Sequence, residues 1–244
     1  MEKQALAADL SSYGSNSKIS RLQAGAFTLA EVLLTLAIIG VVAALTIPAV
    51  VTKVTKDQYV VGLKKAYNTL KAVEREAIQE HGPVENWEWP AGNETQQFER
   101  YFLPRFDVLK NCCATDEKGC FAEGLTRING SPWTTYFETT IITSDGMSWA
   151  YYGSGYSGSL NVRGWFTVDV NGLKGPNREG RDIFTFDFFP SNLGIKPSGS
   201  YENFVTIDPI STSDVDSGCN PSSSGNYGGN YCATKVLSEG AMNY

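Results

Sequence analysis

Two groups of residues in this 244-residue chain have the types and spacing to do chemistry. The denser is Asp169-Val170-Asn171-Gly172-Leu173-Lys174-Gly175-Pro176-Asn177, followed by Gly180 and Asp182. Asp169, Asn171, Asn177 and Asp182 offer side-chain oxygens around turn glycines, and a hard cation such as Ca²⁺ takes six to eight oxygens. The acidic spacing is not that of an EF-hand, and no Glu closes the loop. The same residues also suit an Asx-rich turn between two strands, with Asp and Asn bonding their own backbone. Calcium on these four residues is one expectation and a plain turn is the other. The second group is the five cysteines. Cys219 and Cys232 bracket residues 220–231, a Gly, Asn, Ser and Pro stretch that cannot bury itself, and a covalent clamp there is worth roughly 3 kcal/mol. Adjacent cysteines rarely bridge each other, so Cys120 could pair with Cys112 or Cys113, which leaves one thiol over, and connectivity is not readable from sequence. The Cys-Cys-x6-Cys run lacks a fourth ligand for zinc.

Catalytic sets are hard to assemble. The chain has one histidine, His81, which nearly removes chemistry that needs several imidazoles. Glu123, Glu138, Asp145 and Asp187 are carboxylates with no spacing that brings two together. No P-loop, dinucleotide fingerprint or zinc-protease motif occurs. The chain is therefore expected not to be an enzyme and to carry no cofactor beyond the calcium just named. A net charge of −6 means that the surface as a whole would repel nucleic acid and anionic lipid, and no nucleic acid is expected as a partner.

Glu31 is a different kind of candidate. It precedes residues 32–52, 21 positions without a charge, which is long enough to cross a bilayer's hydrocarbon. A carboxylate at the edge of such a span is costly and calls for a partner. Residues 1–26 are polar, with serines and with Lys18 and Arg21 near their end. An ordinary secretory signal loses its apolar stretch on cleavage. Here the apolar stretch follows Ala26, so a cut at that point keeps it. A chain beginning at Phe27 would carry an α-amine about one helical turn from Glu31, able to pair with it or with the glutamate of a neighbouring copy.

These residues must be held by a small set of elements. The helical pattern outlasts the apolar run, with Tyr59, Val60, Leu63, Ala66, Tyr67, Leu70, Val73, Ala77 and Ile78 at three- and four-residue spacing. It should stop at His81-Gly82-Pro83. Gly40, Pro48 and Gly62 are the expected bends or melting points. Asn93 caps a second helix expected to reach about Lys110, with Pro104 able to split it. Residues 136–143 and 147–152 around Ser144-Asp145-Gly146 give a hairpin, and 165–170 and 183–189 give two further strands. Trp149, Tyr151, Tyr152 and Tyr156 are expected as sheet core and loop packing. After Pro190 the chain is expected to be mostly loop. The fold class is α+β: a long N-terminal helix, half membrane-spanning and half amphipathic, packed on an antiparallel sheet.

The run Phe27-Thr28-Leu29-Ala30-Glu31, the apolar residues after it and Pro48 resemble the N-terminus of the type IV pilin family, including the pseudopilins of type II secretion. The close match covers about 25–56. The resemblance implies a leader, 1–26, removed by a membrane-embedded prepilin peptidase that also methylates the new terminus. The cut falls between Ala26 and Phe27, which makes Glu31 the fifth mature residue. Gly25-Ala26-Phe27 departs from the family by one position, since Gly usually precedes the cut, and cutting after Gly25 would shift Glu31 by one. The resemblance further implies a transmembrane and assembly helix at 27–52, its amphipathic continuation at 53–82 and a head at 83–244 that is loop-rich from about 190. It implies Glu31 and Pro48 as assembly residues and Cys219–Cys232 as the clamp on a C-terminal loop. A calcium-stabilised loop is known in some of these proteins. The implied function is a structural subunit of a type IV pilus or a type II secretion filament. Its partners would be the peptidase/methyltransferase, other pilin or pseudopilin subunits, an assembly platform and bilayer lipid. Its place would be the bacterial inner membrane, single-pass with the head outside the cytoplasm, and then the pilus or periplasmic pseudopilus. The alternative is a signal-anchored extracytoplasmic binding protein that does not polymerise.

Overall fold

The structure, a computed structural model, describes residues 27–88, 94–112, 119–135, 137, 139–153, 162–189, 194–200, 212–223 and 228–244. The chain divides into two units, Met1–Pro48 and Ala49–Tyr244. The described part of the first is the start of α1, the helix Leu29–His81. Its side chains from 27 to 48 are exposed, apart from a half-buried Ala43. Leu33, Leu36, Ile39, Val42 and Leu45 are among the exposed ones. Water is a poor solvent for such a surface, and α1 is long and apolar enough to cross a membrane.

The second unit is an α+β head. α1 runs through Gly40, Pro48 and Gly62 as one helix. Gly62, expected as a bend, serves instead as a contact: a Cβ there would lie 2.9 Å from the Val170 Cβ. From Tyr59 onward the three-four spacing buries Val60, Leu63, Ala66, Leu70, Val73 and Ala77. Gly82 then ends the helix with a positive φ of 77°.

The buried stripe of α1 shares a core with a six-stranded antiparallel sheet whose spatial order is its chain order. The strands are β1 Val108–Asn111, β2 Thr139–Thr143, β3 Ser148–Gly153, β4 Gly164–Asp169, β5 Ile183–Phe189 and β6 Gly194–Pro197. Phe166, Val168, Phe184, Phe186 and Phe188 belong to the core shared with α1, and Tyr67 of α1 stacks on Phe186 at 5.7 Å. The opposite face is covered by the segment around Phe121, Leu125 and Trp133, which packs on Ala150 and Ile183. Cover on both faces is why all seven residues of β5 are buried, including the polar ones. Trp149 and Tyr151 are core as expected, whereas Tyr152 is half exposed against Trp165. Tyr156 lies outside the described residues.

Several elements differ from expectation. The second helix, α2, is Glu94–Tyr101 and does not reach Lys110. Pro104 falls in a short 3₁₀ turn, Leu103–Arg105, and the chain then enters β1. α2 stops ahead of Pro104, whose ring disfavours helical backbone at the residue before it, and Phe98 and Phe102 pack into the aromatic core with Tyr151 and Phe166. The region beyond Pro190 is more ordered than expected, with β6, α3 Thr212–Gly218 and α4 Cys232–Glu239. α4 contributes Ala233 and Val236 to the core.

Glu74 of α1 fastens the last strand. Its Oε1 accepts from the Ile195 N–H at 3.1 Å, and its other oxygen pairs with Lys71. Gly194 makes this approach passable, because its φ is 62° and a Cβ would overlap the Glu74 carboxylate.

Candidate functional site

In the first unit the described candidates are Phe27 and Glu31, at the start of α1, and Pro48 within it. Thr28 precedes the helix and Glu31 is its third residue, the Thr-x-x-Glu arrangement of a capping box. Glu31 N donates to Thr28 Oγ1 at 3.2 Å. In return Glu31 Oε2 accepts from Thr28 N at 2.8 Å and from Thr28 Oγ1 at 2.9 Å. Two N–H groups that a helix start leaves open are thereby satisfied. Phe27 is 85% exposed. Gly25 and Ala26, the other processing candidates, lie outside the described residues. Pro48 sits inside α1. Thr28 was not singled out from sequence, although Thr, two residues, Glu and an apolar run is a recognisable signal.

In the second unit the oxygen-rich residues form the β4–β5 connection. Asp169 ends β4, its Cα paired with Ile183, and Val170 N donates to Asp182 O at 2.9 Å. The two carboxylates therefore flank the mouth of the hairpin, and both side chains are buried. Asp182 accepts from Asn177 N at 2.8 Å and from Arg178 N at 2.7 Å. Asp169 Oδ1 accepts from Asn171 N at 3.2 Å. Asn171 Nδ2 donates to Gly175 O at 3.1 Å and also to the Asp182 carboxylate. Asn177 takes a left-handed φ of 51°. Burial, with the Asp182 charge second, pushes the Asp169 carboxyl up to about 8. Asp182 is also raised by burial, against the opposing pull of its N–H donors.

The structure thus brings Asp169, Asn171, Asn177 and Asp182 into one turn. Much of the turn is bonded through its own backbone, as an Asx turn would be. Three buried oxygens nevertheless lack a partner among the described residues: Asp169 Oδ2, Asn171 Oδ1 and Asn177 Oδ1. Acceptors without donors are what a cation satisfies, so the donor set fits calcium. No cluster of three or more His, Cys, Asp or Glu suited to a metal occurs among the described residues. A bound ion would depend on the amide oxygens beside the two carboxylates.

The remaining candidates separate. Cys219 and Cys232 are bonded, with Cα atoms 4.7 Å apart, and the loop they close carries an Asn220 N to Gly228 O bond at 3.0 Å. Cys112 is bonded to Cys120 at a Cα separation of 6.1 Å. Cys113 lies outside the described residues, as does Glu138. Asp145 pairs with Lys65 at 2.9 Å and accepts from Thr143 at 2.5 Å. Glu123 is exposed. Asp187 is buried beside Trp165, Ser198 and Gly199, which donate to it, and burial lifts its carboxyl to about 7. His81 lies 3.1 Å from the Arg105 guanidinium, edge-on to Tyr101.

One buried acid escaped sequence reasoning. Glu179 is 1% exposed with Arg127 at 3.5 Å, and burial pushes it up to about 7. Nothing local in the sequence links these two residues. A comparison with protein-family models, characterised proteins and solved structures finds no match.

Proposed function

We propose that this chain is a structural subunit of a type IV pilus or a type II secretion filament, anchored and assembled through α1. The observation that carries this reading is the contrast along one helix. From Tyr59 one apolar stripe is buried under the sheet, whereas the side chains of 27–48 are exposed apart from Ala43. Such a surface suits hydrocarbon, or the same surface of neighbouring copies in a bundle. The carboxylate at its edge supports a role in register, since a buried or lipid-facing charge needs a defined partner. In the free subunit that need is met by Thr28. In a filament the α-amine of an adjacent Phe27 would be a stronger, charged partner.

On this reading prepilin peptidase cuts between Ala26 and Phe27 and methylates Phe27. The subunit waits in the bacterial inner membrane with its head outside the cytoplasm, and an assembly platform draws it into the filament with other subunits. The chain itself turns over no substrate. Calcium, if bound, would be held by Asp169, Asn171, Asn177 and Asp182, where it would neutralise two adjacent carboxylates and fix the β4–β5 turn.

The decisive experiment is expression of the full chain with a prepilin peptidase, followed by intact mass and N-terminal sequencing. The expected product begins with N-methylated Phe27. Glu31→Ala should leave the subunit in the membrane and abolish its assembly into filaments. An untouched Met1 terminus, or filaments that form equally well from the Glu31→Ala variant, would overturn the proposal in favour of an anchored binding protein that does not polymerise.

A further inference from the structure

Within the head, beside Thr52, lies a cavity of about 270 Å³. Thr52 is the last residue of the uncharged run and forms part of the wall. Lys56, Arg178 and Arg181 bring three positive charges to it, and Ile128 and Met242 give it an apolar side. The Lys56 ammonium is already engaged, donating to Met242 O at 3.1 Å and Tyr244 O at 2.7 Å. The two arginines are not. Arg178 Nε and Arg181 Nε are buried without an acceptor, and neither guanidinium forms an ion pair among the described residues. Asp169 and Asp182, whose charges with that of Arg181 are felt by Tyr59, direct their bonded oxygens to backbone N–H groups and to the Asn171 side chain instead.

We propose that this cavity binds the phosphate of an anionic membrane lipid. Two guanidinium groups without an ion-pair partner among the described residues line this cavity, and a phosphodiester supplies several acceptor oxygens that match the planar fork of an arginine. The apolar side favours an amphiphile over a hydrated inorganic anion, because a glycerol backbone and the first methylenes of an acyl chain gain by covering it. Position favours the same ligand. If α1 is embedded up to Thr52, its next turn and the residues beside it stand at headgroup level, where Lys and Arg meet anionic lipid. The inference therefore rests on the membrane reading of α1.

The test uses the full chain reconstituted into bilayers of equal phosphatidylglycerol and phosphatidylcholine, gently extracted and examined by native mass spectrometry. Membrane insertion is checked first by flotation with the vesicles. The expected result is phosphatidylglycerol retained about tenfold over phosphatidylcholine. Arg178→Gln with Arg181→Gln should bring the two lipids to parity while far-UV circular dichroism and the melting midpoint show the head still folded. Should the double variant fail to fold, Arg181→Gln alone is read for a reduced preference. Parity in the unaltered protein, or a preference that survives these substitutions in folded protein, would overturn the inference and leave the membrane reading standing. Loss of the bound lipid to inorganic phosphate would overturn it in favour of a free-anion site. Failure to float would overturn the membrane reading and this inference together.

Discussion

Asp169, Glu179 and Asp187 are carboxyl groups at most 1% exposed, and their protons are linked to folding for that reason. Burial is the largest cause in each case, raising Asp169 to about 8 and Glu179 and Asp187 to about 7. Unfolded, they would titrate near 4. Between roughly pH 4 and pH 8 the folded head therefore holds more protons than the unfolded chain, and its stability falls as pH rises. The full contribution is present below the unfolded values and is lost as pH passes through the folded ones. The melting midpoint of the full chain should drop steadily from pH 5 to pH 8. Asp187→Asn, which cannot ionise, should flatten that decline, and a curve that is flat or rises in the unaltered protein would count against the buried acids. At pH 8 calcium should raise the midpoint, and Asp169→Asn should reduce the gain. No calcium effect at any pH would leave the turn held by its backbone alone. Composition made the Asp169–Asp182 cluster readable, because its members lie within one short stretch. The Glu179–Arg127 pair was not readable, since only the fold brings these two residues together.

Helices and strands were legible in proportion to their length and periodicity. α1 and the β2–β3 hairpin stand out because many positions repeat one period and the turn residues between the strands are explicit. β1 and β6 are four residues each, too short for an alternation to register, and β6 contains both Gly194 and Pro197. α3 and α4 are short and lie in Gly- and Ser-rich surroundings, and α4 is held by Cys232 and by burial of Ala233 and Val236 more than by intrinsic propensity. The seam between α1 and β6 depends on Glu74 reaching across Gly194. Gly194→Ala should cost on the order of 2–3 kcal/mol, from the left-handed backbone together with the overlap. It should also speed amide exchange at Ile195 well beyond that of the β3 and β4 amides. Exchange that rises evenly over the sheet would mean that the seam is no separate fastening.

The whole molecule joins an exposed apolar helix start to a head with a two-sided core. Alkaline carbonate should leave the full chain in the membrane pellet, whereas a chain merely adsorbed by its head would be washed into the supernatant. The head has a further property that follows from its sheet order. Because the strands lie side by side in the order in which the chain supplies them, each can meet its predecessor by closing a local connection, and neighbours need not wait for remote segments. The bond from Ile195 to Glu74 is the opposite case, spanning 121 residues. Hairpins can zip early and progressively, while the helix–sheet seam closes across a much longer loop. The sheet is thus closed through successive neighbours, and the helix–sheet seam belongs to the contacts that join the two ends of the head.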